Sequence, residues 1–267
     1  MSGSVNLCVG VACNDEFVLK SCLLASPDIG SGVEVFVEYD AASAAKAYNA
    51  ILEKASCDVV ILVHQDVFLP PGWLARFKES LAWLDENDPR WGVLGVWGAD
   101  HDGQFKGWVY SAGLKQLLGG PFKLPRTVRV LDEVLLAIGK HSGLRFDESL
   151  EGFHLYGTDL CLEAESKGLR NYVIPAFLVH NSAPMSWLPL QFWRSYSFVR
   201  GKWKDRLPVI TPCITLKRFP ARAASQVIRS FYKRLASGQG RKGRSMPYAP
   251  ELYKDLLRKG IAPASKT

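Results

Sequence analysis

The first 65 residues alternate short apolar runs with helix-forming segments, and this alternation limits the fold more than any other feature. Residues 5–12, 33–37 and 59–63 are apolar runs rich in β-branched side chains, which favour strands. The intervening residues 14–24 and 41–55 are predicted helices, and the second of them is rich in strong helix formers. Strands that are apolar along their whole length are typical of a mostly parallel sheet with helices on both faces. The sequence therefore predicts a Rossmann-like α/β fold.

Polar residues follow each of these three apolar runs. Residues 12–15 follow the first run, residues 38–40 follow the second, and the triplet His64-Gln65-Asp66 ends the third run abruptly. Ligands of open parallel sheets bind beyond the carboxyl ends of the strands, where these three polar segments would meet. The sequence therefore predicts a ligand site at this edge of the sheet, which we call the rim.

Further apolar segments follow residue 90. Residues 91–97 and 128–138 are predicted strands, and the glycine-rich residues 99–113 are predicted to form a loop that could act as a lid. The second strand would carry Asp132 and Glu133 in its middle, which is costly for a buried segment unless the acids meet a partner or a ligand. These two acids are therefore candidate ligand contacts.

One more helix and one more strand are predicted before the chain becomes basic. Thr158 is a suitable N-cap for a helix over residues 159–167, and Gly168 would end that helix. Residues 172–179 are predicted to form a strand that ends on His180. A polar residue thus again follows a strand, as it does at the rim.

The charge of the chain divides it into two parts. At 267 residues, with 48% hydrophobic and 22% charged residues, the chain has the composition of a globular protein. Residues 206–267 hold 14 of the 33 Lys and Arg but only 2 of the 26 Asp and Glu, whereas residues 1–205 are net acidic. We predict a body over residues 1–205 and a basic helical C-terminal extension over residues 206–267.

The basic extension contains a predicted amphipathic helix at residues 221–236, with apolar residues on one face and Arg and Lys on another. Such a helix could bind an anionic membrane surface. Alternatively, its apolar stripe packs on the body and its charges are only solvated. Residues 237–244 are a predicted flexible linker, and residues 253–259 are a predicted terminal helix.

Targeting and cysteine patterns indicate a compartment. The sequence shows no secretory signal and no apolar run of membrane-spanning length. We expect a cytoplasmic protein, peripheral at the inner face of the plasma membrane if residues 221–236 bind lipid. The cysteines lack the paired C-x-x-C spacing of zinc or redox sites and are expected to be reduced, buried thiols. These cysteines are Cys8, Cys13, Cys22, Cys57, Cys161 and Cys213.

Taken in order, these segments resemble glycosyltransferase family 2. The resemblance lies in a first strand ending near Asn14, a helix carrying Asn49, a strand ending in His-Gln-Asp before Gly-Trp-Leu, and the later segments FHLYGTDLCLEA and FLVHNS. The His-Gln-Asp ending is similar to the "glycosyltransferase-like" branch of that family. The resemblance covers residues 5–205 and implies that the predicted α/β body has the GT-A fold.

The resemblance implies a site for a nucleotide-diphosphate sugar at the rim. Asp66 matches the last carboxylate of the family's acidic motif, which holds a divalent metal on the donor diphosphate. His180 matches a histidine that often completes the metal shell, and His64 stands where the family usually has its first aspartate. The implied nucleotide-sugar-binding residues are Ala12, Asn14, Glu38, Asp40, Asn49, His64, Gln65 and Asp66.

The resemblance also implies the chemistry. Asp159 matches the family's catalytic base, which would remove the proton of an acceptor hydroxyl as that oxygen displaces the diphosphate with inversion. A histidine in the metal shell suits Mn²⁺ better than Mg²⁺, because Mg²⁺ prefers oxygen ligands. The acceptor contacts that we expect are Asp132, Glu133, His154, Tyr156, Trp203 and Lys204.

These expectations describe an inverting glycosyltransferase. The resemblance implies transfer from a nucleotide-diphosphate sugar to a glycan or lipid-linked glycan acceptor, in the synthesis of bacterial surface polysaccharide or lipopolysaccharide. One alternative is a GT-A module that binds nucleotide or glycan without turnover. Another is a nucleic-acid-binding protein that uses its basic extension. No nucleic acid is expected as a partner, because the body is acidic and carries no nucleic-acid-binding motif.

Overall fold

A computed structural model describes residues 5–30, 32–184, 188–219 and 247–264. In chain order, the strands of the described residues are β1 (Leu7–Cys13), β2 (Glu34–Tyr39), β3 (Val59–Val63), β4 (Val67–Phe68), β5 (Trp91–Gly95), β6 (Trp97–Ala99), β7 (Phe105–Ser111), β8 (Gln116–Gly119), β9 (Arg126–Val128), β10 (Val130–Leu131), β11 (Leu135–Gly139), β12 (Arg170–Val173), β13 (Leu178–His180), β14 (Val209–Ile210) and β15 (Thr215–Leu216). The helices are α1 (Glu16–Ser21), α2 (Ala44–Lys54), α3 (Trp73–Asn87), α4 (Tyr156–Ser166), α5 (Leu190–Lys202) and α6 (Ala249–Arg258).

The main sheet has seven strands in the order β2-β1-β3-β11-β5-β12-β9. Strand β1 pairs in parallel with β2 and β3, and β12 pairs in parallel with β5. Strand β11 runs antiparallel to both of its neighbours, and β9 runs antiparallel to β12. The predicted α/β fold is confirmed, and its sheet is mixed because β11 enters from the rim and runs back through the middle.

The direction of β11 determines where two predicted site residues lie. Leu135 pairs with Val63, the last residue of β3, so the residues just before β11 sit beside the end of β3. The predicted single strand over residues 128–138 is therefore wrong, since it is divided into β9, β10 and β11. Asp132 and Glu133 lie in the connection before β11, at the rim, and not inside a buried strand.

A second sheet carries the other side of the rim. Its order is β10-β6-β7-β13-β4, with β8 added to β7. Two sequence predictions are corrected here: residues 99–113 contain strand β7 and do not form one long loop, and residues 172–179 are divided between β12 and β13. Strand β13 is antiparallel to β4, which places His180 opposite Val67 and next to Asp66.

Helices cover both faces of the main sheet, as predicted. Strand β3 is buried along its whole length, with Val60 and Leu62 in the core beneath α2, α4 and α5. Ile61 and Val63 face the opposite core, which contains residues of α1 and α3. This alternation explains why the strand has no polar residue before His64.

The N-terminal ends of two helices differ from the predicted ones. Helix α1 begins after Asp15, whose Oδ1 accepts a hydrogen bond from the N–H of Val18 at 3.1 Å. Helix α4 begins at Tyr156 and not at residue 159, after Leu155 in a left-handed conformation with φ 61°. Thr158 is consequently buried within the first turn and is not the N-cap.

The cysteine prediction is wrong for three residues. Cys8 and Cys57 form a disulfide, with Cα atoms 6.0 Å apart, because Cys8 lies in β1 and Cys57 precedes the adjacent strand β3. Cys213 is an exposed thiol. The remaining free thiols are buried, as expected, and belong to Cys13, Cys22 and Cys161.

The C-terminal residues described by the structure pack on the body. Val209 and Leu216 lie in the core beneath α5, so the chain crosses the predicted boundary near residue 205 without leaving the body. Helix α6 confirms the predicted terminal helix and buries Tyr253 and Leu256 against Phe68. The predicted amphipathic helix at 221–236 and the linker at 237–244 lie outside the described residues. Among the described residues, no helix has the length and apolar composition that a membrane span needs.

Candidate metal and nucleotide-sugar site

Three side chains from separate parts of the chain meet at the rim. His64 follows β3, Asp66 precedes β4, and His180 ends β13. One ligand atom from each lies within 4.8 Å of the other two, so the group could hold a metal ion. Nε2 of His180 lies 3.3 Å from Oδ1 of Asp66. Two imidazole nitrogens and a carboxylate oxygen form a donor set that suits Mn²⁺.

Hydrogen bonds orient the ring of His64. Its Nε2 lies 2.9 Å from the hydroxyl of Tyr156, and that hydroxyl donates to the backbone oxygen of Glu133 at 3.3 Å. With the hydroxyl proton directed to Glu133, Nε2 of His64 is the donor toward Tyr156. Nδ1 of the neutral ring then keeps a free lone pair, which is the form that binds a metal.

Burial and charge act in opposite directions on these groups. Burial lowers the pKa of His64 and favours the neutral ring. Burial alone would raise the pKa of Asp66, but the positive charge of His180 and its hydrogen bond lower it to about 2. Burial alone would lower the pKa of His180, and the charge of Asp66 outweighs it, so the pKa of His180 is raised. Asp66 and His180 therefore form an ion pair when no metal is bound.

The predicted nucleotide contacts of β1 and β2 do lie together at the rim. Ala12 pairs with Glu38 across the parallel strands, and the N–H of Asp40 donates to the oxygen of Cys13 at 2.9 Å. Glu38 forms an ion pair with Lys54 of α2. These contacts leave the backbone of Ala12 and the carboxylate of Asp40 at the edge of the sheet.

Gln65 connects two parts of the rim. Its Oε1 accepts hydrogen bonds from the N–H groups of Asn14 at 3.0 Å and Asp15 at 3.1 Å, and its Nε2 donates to Oδ1 of Asn14 at 2.6 Å. The side chain of Gln65 thus fastens the loop after β1 to the end of β3. This contact accounts for the glutamine between His64 and Asp66.

Asn49 does not fit its predicted role as a nucleotide contact. The residue is buried in α2, and its Nδ2 donates to the oxygen of Phe146 at 2.9 Å and to Oε1 of Glu148 at 3.0 Å. Its Oδ1 accepts from the N–H of Phe146 at 3.0 Å. Both amide protons are therefore used to hold the segment before α4.

Asp159, the predicted catalytic base, is buried and has both carboxylate oxygens hydrogen-bonded. The residue is only 2% exposed, its Oδ1 accepts from Nε1 of Trp203 at 2.7 Å, and its Oδ2 accepts from Nζ of Lys202 at 3.0 Å. Burial raises the pKa of Asp159 despite these two donors. Each oxygen keeps a further lone pair, but burial restricts the access of an acceptor hydroxyl to it.

Glu133 is the less constrained acid at the rim. Its side chain is half-buried and accepts hydrogen bonds from the backbone N–H groups of Gly157 and Leu155, at the start of α4. A Cβ atom on Gly157 would lie 3.1 Å from Cγ of Glu133, so the glycine makes room for the acid. Burial, together with the charge of Asp132, raises the pKa of Glu133 to about 8.

The other predicted acceptor contacts occupy different positions. His154 is half-buried, packs edge-on against Phe192, and has a pKa lowered by burial. Tyr156 is buried and contacts the metal group through His64. Trp203 uses its N–H on Asp159, and Lys204 is exposed in the turn after α5.

The sequence prediction missed the placement of two side chains. His64 joins Asp66 and His180 in the candidate metal group, although it was expected only to contact the donor. Lys202 bridges Asp159 and Asp147 from the end of α5, at 3.0 Å and 2.8 Å. The signal for His64 was its spacing of two from Asp66 after a strand, but nothing in the local pattern of Lys202 indicated buried partners.

Comparisons with known proteins identify a family for the chain. The family described as glycosyltransferase-like matches residues 8–187 of the chain. The Fuscovulum blasticum protein named "ATP synthase subunits region ORF 6" is 29% identical over 141 residues, which cover 50% of this chain and 55% of that relative. The chain therefore spans about half the length of the curated relative that it matches.

Two solved structures share the fold. GalNAc-T7, crystallised with UDP, GalNAc and Mn²⁺, has a TM-score of 0.52 at 11% identity and covers 76% of this chain and 49% of its own. The mannosyltransferase PcManGT from Pyrobaculum calidifontis, in complex with GDP-Man and Mn²⁺, has a TM-score of 0.50 at 12% identity. The match covers 97% of this chain and 84% of the mannosyltransferase chain. The shared architecture is the GT-A fold. Because the family match covers more than half of the sequence, the chain belongs to the glycosyltransferase-like family.

Proposed function

We propose that the protein is a metal-dependent, inverting glycosyltransferase that transfers a sugar from a nucleotide-diphosphate donor to a glycan. The observation that carries this proposal is the group of His64, Asp66 and His180 at the rim of a GT-A fold. Two proteins of the same fold hold Mn²⁺ together with UDP or GDP-Man, which supports a nucleotide-sugar donor here.

The residues at the rim suit a divalent cation bound with a diphosphate. Asp66 would supply a charged oxygen ligand, and His64 and His180 would each supply a neutral nitrogen. A cation held there would neutralise the charge that grows on the leaving diphosphate. Tyr156 would keep Nδ1 of His64 available by accepting the proton of Nε2.

Glu133 would serve as the general base in place of Asp159. Glu133 is half-buried at the rim, whereas both oxygens of Asp159 are held by Lys202 and Trp203. Its carboxylate, which with a pKa of about 8 is the main form only above that pH, would take the proton of an acceptor hydroxyl while that oxygen attacks the anomeric carbon. The bond from the anomeric carbon to the diphosphate oxygen would break in the same step, releasing the nucleoside diphosphate and inverting the configuration.

Asp159 then has a positioning role. Its bonds to Lys202 and Trp203 join the first turn of α4 to the end of α5. That junction lies in the same first turn of α4 as the backbone N–H of Gly157, which holds Glu133. Loss of Asp159 would therefore shift the position of Glu133 by loosening the first turn of α4, without removing a contact to the substrate.

The finer parts of the proposal concern the acceptor and the location. We propose a glycan or lipid-linked glycan acceptor in bacterial surface polysaccharide or lipopolysaccharide synthesis, contacted by Asp132, His154 and Lys204. The basic residues of 206–267 would favour an anionic membrane surface. Sedimentation with anionic vesicles, compared with neutral vesicles, tests this part separately, and equal failure to sediment with either would refute it.

The central experiment is a calorimetric titration of UDP, GDP and dTDP with and without Mn²⁺. We expect one nucleotide to bind only with Mn²⁺, and Asp66→Asn to abolish that binding. Asp85→Asn is the matched control, because Asp85 is exposed on α3 away from the rim. Binding that needs no metal, or that survives Asp66→Asn, would refute the metal-dependent donor site.

Two other outcomes would favour the alternatives. Metal-dependent nucleotide binding without hydrolysis or transfer of any donor sugar would indicate a GT-A module without turnover. RNA or DNA binding that falls steeply with salt, and is lost when residues 206–267 are removed, would indicate a nucleic-acid partner.

A further inference from the structure

A second cleft, of about 480 Å³, lies away from the metal group. It is bordered by the turn after β4, by strand β7 and by Phe177, the residue before β13. His180 stands three residues after Phe177 along an extended segment, which spans roughly 10 Å of backbone. The volume falls within the range of small-ligand sites. We call it the aromatic cleft.

Rings form the walls of the aromatic cleft and are held in place by the surrounding structure. Trp73 is buried and stacks on Phe77 with ring centroids 5.4 Å apart. Trp108 packs against Phe177 at 5.3 Å. Tyr253, which lies on α6, donates its hydroxyl proton to the oxygen of Pro263 at 3.0 Å. This hydrogen bond fixes the Tyr253 ring in the wall of the cleft. These contacts fix the wall, and the half-buried rings of Trp108 and Phe122 are the aromatic surface open to a ligand with apolar C–H faces.

The charged side chains of the cleft are both cations. Arg76 and Lys123 line it and are both exposed, and no Asp or Glu is among the lining residues. Arg76 pairs with Glu79 at 3.4 Å, whereas Lys123 has no carboxylate within ion-pair distance in the described part of the chain. The indole N–H groups of Trp73 and Trp108 are buried without an acceptor in those same residues. Both indole nitrogens have less than 1 Å² of exposed surface, so the exposed donors available to a ligand are Arg76 and Lys123.

We propose that the aromatic cleft binds an acidic sugar residue of a glycan, with its ring against the aromatic walls and its carboxylate near Arg76 and Lys123. Among the lining side chains only the hydroxyl of Tyr253, which already donates to Pro263, could accept a hydrogen bond from the amino group of a nucleotide base, which disfavours a nucleotide as the occupant. This binding site requires no turnover at the metal group and goes beyond the proposed transfer reaction.

The test is a calorimetric titration of tetragalacturonate into the full-length protein in the presence of EDTA. Neutral maltotetraose and UMP are titrated in parallel. We expect the acidic tetrasaccharide to bind and the two comparison ligands to bind at least about tenfold more weakly. Equal binding of maltotetraose would refute the role of charge, and stronger binding of UMP would identify a nucleotide site instead.

Variants separate this site from general attraction to a basic protein. Arg76→Gln with Lys123→Gln should weaken tetragalacturonate binding by about tenfold or more, because each cation contributes a charge-assisted contact. The matched control is Lys78→Gln with Arg90→Gln, which removes the same charge from exposed positions outside the cleft. Equal weakening in both double variants would overturn the proposal.

A further pair of variants tests the aromatic wall and the independence of the two sites. Phe122→Ala, which removes a half-buried ring of the cleft, should weaken binding of the acidic sugar without changing net charge. Asp66→Asn should leave this binding unchanged while it abolishes nucleotide binding. Absence of acidic-sugar binding to the wild-type protein would thus refute the aromatic cleft, and absence of nucleotide binding to it would refute the donor site, each without affecting the other result.

Discussion

Nε1 of Trp203 donates a hydrogen bond to Oδ1 of Asp159 over 2.7 Å, and Lys202 occupies the other oxygen of the same carboxylate. The acid that the family resemblance implied as the base is therefore a buried connection between α4 and α5. Its neighbour at the rim, Glu133, is more exposed and has no cationic partner among the described residues. The two acids should respond differently to substitution.

Asp159→Asn should lower the free energy of unfolding by about 2 to 4 kcal/mol, because it leaves Lys202 partly buried beside a neutral group. Urea denaturation measures this loss. The control is Asp147→Asn, which removes the more exposed partner of the same lysine and should cost about 0.5 to 1 kcal/mol. Wild-type stability with complete loss of turnover in Asp159→Asn would restore Asp159 as the base.

Glu133→Gln should reduce sugar transfer or donor hydrolysis by about 10² to 10⁴-fold, which is the usual contribution of a general base. The dissociation constant of the nucleotide should change by less than about threefold, because the substitution keeps the shape of the side chain. Rates are measured with the donor that the calorimetric titration identifies. Glu151→Gln, an exposed acid close to α4, should keep the wild-type rate. A rate near wild type in Glu133→Gln would exclude this base.

Asp132→Asn should lower the pKa of Glu133 from about 8, since the charge of Asp132 helps to raise it. The titration of ¹³C-labelled Glu133 in metal-free protein measures this shift by NMR. A raised pKa in the folded state means that Glu133 favours folding most below its ordinary value of 4.5. That contribution is lost as pH rises through about 8. A midpoint that does not move in Asp132→Asn would contradict the coupling.

The ion pair of Asp66 and His180 should make metal-free stability depend on pH in two directions. Asp66 has a lowered pKa, so its contribution is present above its ordinary 3.8 and is lost as pH falls to about 2. His180 has a raised pKa, so its contribution is complete below its ordinary 6.5 and is lost as pH rises through the folded value. The stability difference between wild type and Asp66→Asn should therefore be largest between pH 3.8 and 6.5. A difference that grows above pH 8 would contradict this assignment.

Tyr156→Phe should weaken Mn²⁺ binding about 10 to 100-fold, because it removes the acceptor that fixes the proton on Nε2 of His64. Titration with Mn²⁺ followed by electron paramagnetic resonance measures the affinity. Tyr172→Phe is the control, since Tyr172 is also buried but its hydroxyl contacts Asp88 far from the rim. Equal loss of affinity in both variants would point to general destabilisation.

The sequence by itself determined the strands and helices of the first half and the polar triplet at the end of β3. These features follow from patterns within a few residues, because side-chain alternation and helix propensity act locally. The location of a ligand site at the rim followed from the strand ends alone. The prediction that Asp66 and His180 share one metal group came from the family resemblance, and the structure brings their side chains within 4.8 Å.

Only the tertiary structure decided which acid is covered and which is half-exposed. The antiparallel entry of β11 brings Glu133 to the rim, and the end of α5 covers Asp159 with Lys202 and Trp203. The contact between His64 and Tyr156 joins residues 92 positions apart, and the disulfide joins Cys8 to Cys57 across neighbouring strands. Such contacts depend on strand direction and register across the whole sheet, which no local pattern of residues encodes.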